Sequence, residues 1–116
     1  MTADRPGAGI EEPPDLVVLR LPGVGRPHTR LTVAGDLDMA GVPALRRAVD
    51  ELVHDGCTHV DADLAAVPFC DVSGFSALLA ARDQLRAEGG ELTLRNPCWS
   101  LLWLRSLLRP GLTFST

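Results

Sequence analysis

From Thr29 to Leu108 the chain alternates between short apolar runs of strand character and stretches whose apolar residues recur at helical spacing, with Gly or Pro near every change. This alternation constrains the fold more than any other feature. Strands separated by helices pair in parallel, through crossovers that lay the helices on the sheet. Val42, Leu45, Ala48, Val49, Leu52 and Val53 share one helical face, Pro43 suits a first turn, and Gly56 stops the helix. Thr58 to Leu64 sets Val60, Ala62 and Leu64 against Asp61 and Asp63, the alternation of a strand with one buried face. A second stripe, Phe75, Leu78, Leu79 and Leu85, predicts a helix from Ser73 to Glu88 that Gly89-Gly90 ends before a strand at Glu91 to Arg95. Asn96 and Pro97 open a third helix, from about Cys98 to Leu108, and Leu112 to Phe114 reads as a last short strand. Upstream, Asp15 to Leu21 and Thr29 to Ala34 flank Pro22, Gly23, Gly25 and Pro27, which predicts an antiparallel hairpin with a long loop. The order ββαβαβαβ defines a single α/β domain: a mixed sheet with helices packed on it.

A length of 116 residues accommodates one such domain. Residues 1–14, with Pro6, Gly7, Gly9, Pro13, Pro14 and three acids, cannot bury apolar surface and are expected to be mobile, so the domain is read as 15–116. Eleven arginines and no lysine remove the P-loop lysine, the Schiff-base lysine and the lysine of a phosphoacceptor receiver site. That composition, beside many Ala, Gly and Pro, points to a GC-rich bacterial genome. A net charge of -4 offers no footprint for nucleic acid. No apolar run reaches the ~18–20 residues that span a bilayer, and the N-terminus lacks the features of a signal peptide, so a cytoplasmic protein without membrane insertion is expected. Cys57, Cys70 and Cys98 form no CxxC pair and read as small hydrophobes rather than a disulfide or zinc framework. Neither a cofactor nor a metal is expected. Asp36, Asp38 and Asp71 could together hold a divalent cation, but they read more simply as solvated loop acids. Asp61, at mid-strand, must face outward or meet an arginine. No Ser-His pairing or Gly-rich phosphate loop marks an enzyme.

Gly35-Asp36-Leu37-Asp38 before a helix, Asp63-Leu64 ending a strand, Phe69-Cys70-Asp71-Val72-Ser73-Gly74 opening the next helix, then Gly89-Gly90 and Asn96-Pro97, resemble STAS domains in order and spacing, in particular bacterial anti-sigma factor antagonists. The resemblance implies a non-enzymatic protein-binding module in transcription regulation. It would bind an anti-sigma factor that is also a serine kinase, and so release the sigma factor by partner switching. The implied contact set is Asp36, Asp38, Asp71, Val72, Ser73, Gly74 and Phe75. In that family a Ser or Thr directly after the loop aspartate is phosphorylated, and roughly two added negative charges break the complex, while the helix N-terminus tolerates them. This chain has Val72 there, with no hydroxyl to modify. Ser73 is the alternative acceptor, but one helical step turns its side chain by about 100°. Asp71 is expected to cap the helix. The alternative reading is an accessory subunit or scaffold of a membrane complex of the ABC lipid-transport type. Many members of the family carry a further helix after the last strand, so with the sequence ending at Thr116 exposed apolar surface is expected there.

The third helix is apolar on more than one face, through Trp99, Leu101, Leu102, Trp103, Leu104, Leu107 and Leu108. Such a helix is either enclosed or waiting for a partner. Trp99, Leu102 and Trp103 are therefore candidates for an interaction surface or a homodimer contact. A membrane contact is the weaker reading, since only Arg95, Arg105 and Arg109 lie nearby.

Overall fold

Along each inner strand, burial alternates with period two. Thr29, Leu31 and Val33, then Val60, Ala62 and Leu64, then Leu92 and Leu94 are buried, while the residues between them are not. One face of the sheet is therefore covered and the other is open. The computed structural model describes residues 16–21, 27–108 and 113–114; the segment 1–14, expected to be mobile, lies outside them. The elements are β1 (Leu16–Leu21), β2 (His28–Gly35), α1 (Val42–His54), β3 (His59–Ala66), α2 (Val72–Ala87), β4 (Glu91–Arg95), α3 (Trp99–Leu108) and β5 (Thr113–Phe114). They form one five-stranded sheet in the order β1-β2-β3-β4-β5. β1 and β2 are antiparallel and the other neighbours are parallel, as the hairpin and crossover patterns predicted.

α1 packs on β1 and α2, and α2 packs on β4 and α3. Leu45, Val49 and Leu52 of α1 and Phe75, Leu78, Ala81 and Leu85 of α2 meet the strand residues in one core. Both helices end alike. Gly56 and Gly89 take φ +80°, a conformation glycine adopts without a Cβ penalty, and the amides of Cys57 and Gly90 then donate to the carbonyls of Leu52 and Leu85, each at 2.8 Å. The open face carries rows of polar side chains: His28, His59 and Glu91, then Arg30, Asp61 and Thr93, then Thr32, Asp63 and Arg95. Asp61 faces outward there, 3.1 Å from Arg95 Nε, an ion pair not aligned as a hydrogen bond. Cys57 and Cys70 are buried and Cys98 half-buried, all as free thiols.

Candidate functional site

The loops that follow β2 and β3 meet at one end of the sheet, where parallel strands deliver their carboxyl ends together. Leu37 pins them. Its side chain is buried, its amide donates to the Phe69 carbonyl at 2.9 Å, and its own carbonyl accepts from the Asp71 amide at 3.2 Å. A single parallel bridge joins Leu37 to Cys70. The Asp38 carboxylate accepts from the amides of Ala40, at 3.1 Å, and Gly41, at 3.2 Å, so it builds the turn into α1. Asp36 is exposed beside it.

On the other loop, Asp71 takes an extended conformation and its Oδ1 accepts from the Gly74 amide at 3.0 Å, the expected N-cap. The helix thus begins at Val72, one residue before its predicted start. Val72, at the first helical position, is 57% exposed, and Phe69 on the same loop and Met39 on the other are exposed as well. Gly74 faces inward, and a Cβ there would collide with the Leu37 carbonyl. Phe75 is also in the core, so it supports the turn from beneath and corrects the expectation that it contacts a partner. Ser73 turns into a groove of about 440 Å³ between α1 and α2, beside Arg46, Ser76 and Gln84. Gln84 Nε2 donates to Asp50 Oδ1 across that groove at 2.8 Å.

Sequence reasoning missed Ser100. Its Oγ accepts from the Cys70 amide at 3.0 Å and lies 3.3 Å from Cys98 Sγ, tying the start of α3 to the Asp71 turn. Nothing in the spacing of residues 70 and 100 announces that bond. Burial, with Cys98 and Asp71 nearby, pushes the Cys70 thiol up to about 12, so it is no nucleophile at neutral pH. Among the described residues no three His, Cys, Asp or Glu side chains are grouped to hold a metal ion, and Asp36, Asp38 and Asp71 share an end of the sheet without forming such a group. Asp63 is held below the usual carboxylate range, chiefly by the Asn96 side chain and then by the Ala65 amide. Trp99, Leu102 and Trp103 are exposed, while Leu101 and Leu104 of the same helix are buried. Among the described residues, no helix is long and apolar enough to cross a membrane.

Fold and loops together define a class: a mixed-sheet α/β domain whose loops converge on a capped helix start. Residues 24–109 match the model of the family described as "Mlab, STAS domain", and the chain belongs to the STAS domain family. No curated protein matches it in sequence. An anti-sigma factor antagonist from Mycobacterium paratuberculosis has a similar fold, with a TM-score of 0.71, 24% identity and coverage of 88% of each chain. So does unphosphorylated SpoIIAA, an anti-sigma factor antagonist of Bacillus, with a TM-score of 0.67 and 22% identity over 86% of this chain and 88% of that one. The murine anion transporter Slc26a9 contains a similar domain, with a TM-score of 0.60 and 20% identity over 76% of this chain and 16% of the transporter. At these identities the likeness is one of fold.

Proposed function

We propose that this protein is a non-enzymatic, cytoplasmic binding module of the bacterial anti-sigma factor antagonist type. It engages an anti-sigma factor with serine-kinase activity through the Asp36–Met39 and Phe69–Ser73 loops, and it is not phosphoregulated at position 72. The observation that carries this reading is Val72, an exposed apolar side chain at the first position of a capped helix, where the family resemblance places a hydroxyl. Charge cannot be added there by a kinase. Ser73 lines the groove between α1 and α2, as Arg46 does, one helical step round from the position that such a kinase would address. The module therefore stays in its binding form. Partner switching in transcription regulation would then depend on the partner's state rather than on this chain's.

The test compares the wild-type chain with Val72→Asp in affinity capture from the native cytoplasm, with the bound proteins identified by mass spectrometry. An unpaired charge buried in an interface costs about 2–5 kcal/mol, so the variant should lose at least ~30-fold in affinity. Capture of an ATP-binding anti-sigma kinase by the wild type alone supports the reading. Equal capture by both would remove the turn from the interface.

One observation favours a second reading, an accessory subunit of a membrane transport assembly of the ABC lipid-transport type: a domain of this fold also forms part of an anion transporter. Capture of transporter subunits would establish it.

A further inference from the structure

Among the described residues, α3 is anchored from one side. Leu101 and Leu104 enter the core, Ser100 accepts from the Cys70 amide, and the Arg105 guanidinium lies 4.6 Å from the centre of the Phe114 ring. The opposite side carries Trp99, 75% exposed, and Trp103, 51% exposed, their rings stacked 6.2 Å apart with an interplanar angle of 14°. Leu102 and Leu107 flank them and are also exposed. With roughly 150–250 Å² per aromatic side chain, the two tryptophans alone leave about 200–300 Å² exposed, and Leu102 and Leu107 enlarge the patch. That brings it within the range of the largest patch on a soluble monomer, about 300–600 Å². It is also a substantial part of the roughly 800 Å² that each partner contributes to a stable interface.

We propose that this face is a two-fold homodimer interface, with α3 packed antiparallel against α3 of a second copy. A two-fold contact sets each group near the axis against its own copy, so a charge there would meet a like charge. The outward face of α3 avoids this. From Trp99 to Leu108 the one ionisable residue is Arg105, and it is turned to the Phe114 ring. Ser106 Oγ on this face already donates to the Trp103 carbonyl at 2.7 Å, which leaves the two indole N–H groups as its uncharged polar donors. Trp103 lies at the middle of the helix, closest to the axis of such a pair. Trp99 and Trp103, four residues apart, form one ridge, and the space beside Leu102 and Ser106 forms the groove that receives its symmetry mate.

The two tryptophans of α3 are the only two in the chain, so the fluorescence of the unmodified protein reports on this face alone. Sedimentation velocity and tryptophan emission are measured on the full chain from low micromolar to several hundred micromolar. The expected result is a reversible dimer, with emission shifting to the blue and acrylamide quenching falling as it forms. Trp103→Arg and Leu102→Glu should each weaken association by at least ~30-fold while leaving the circular dichroism spectrum unchanged. A chain that stays monomeric throughout overturns the proposal. So does a dimer that forms without a change in emission, or one that persists in both variants. A blue shift seen only on adding anionic phospholipid vesicles to a monomeric chain would overturn it in favour of a lipid surface.

Discussion

Replacing Gly74 with alanine should destabilise the protein, against the general rule for helix interiors. At an unconstrained site in a helix this change gains about 1 kcal/mol. Here the new Cβ would meet the Leu37 carbonyl oxygen, and it would also lie 2.8 Å from both Leu37 C and Leu37 Cγ. The obstacle is backbone, so it cannot rotate away. α2 must back off, or the Leu37 loop must lift, and lifting it breaks the two hydrogen bonds that join Leu37 to Phe69 and Asp71. Those bonds are worth about 1–3 kcal/mol together. Forcing a methyl group into a filled core costs about 1–3 kcal/mol more. Less the helical gain, Gly74→Ala should cost about 1–5 kcal/mol, against the roughly 5–15 kcal/mol that stabilises a domain. In a domain of this size that lowers the thermal midpoint by about 5–25 °C. Urea and thermal unfolding followed by circular dichroism measure it directly. A variant as stable as the wild type, or more so, would refute the close approach of α2 to Leu37, and with it the claim that this contact fixes the two loops relative to each other.

Two further predictions concern stability. Arg86 holds the Glu91 carboxyl down to about 2, helped by the Leu92 amide and the Thr113 hydroxyl, against an ordinary value of 4.5. A depressed carboxyl contributes stability above its ordinary value and loses it as pH falls; unfolding midpoints should therefore drop between pH 4.5 and about 2, with Asp63 acting in the same direction, and Glu91→Gln should flatten the slope. Asp71→Ala removes the cap of α2 and should cost about 1 kcal/mol in urea unfolding, with Asp71→Asn restoring most of it.

Local chemistry made much of the fold legible. Gly56 and Gly89 end helices because a left-handed residue closes them, Asp71 caps because a short carboxylate reaches amides three residues on, and the alternation around Asp61 and Asp63 marks a one-faced strand. Each of these readings depends on residues within about one turn of each other. Phe75 was misplaced because adjacency to the Asp71 turn outweighed its membership of the Leu78 and Leu85 stripe, and helical geometry turns it under the turn rather than onto it. Ser100 was missed because its partner is thirty residues away.

The order of elements, the mixed sheet, the capped start of α2 and the absence of a hydroxyl at Val72 follow from residue type and short-range spacing. Which side of α3 lies outside depends instead on packing against the rest of the fold. Its leucines and tryptophans cover the helix on several faces, so periodicity selects none; the docking of Leu101 and Leu104 into the core and of Ser100 onto Cys70 selects one, and leaves Trp99 and Trp103 in solvent. The same holds for the two loops of the candidate site. Their meeting depends on Leu37, whose backbone bonds join segments more than thirty residues apart and exist only once the parallel sheet has brought the ends of β2 and β3 together.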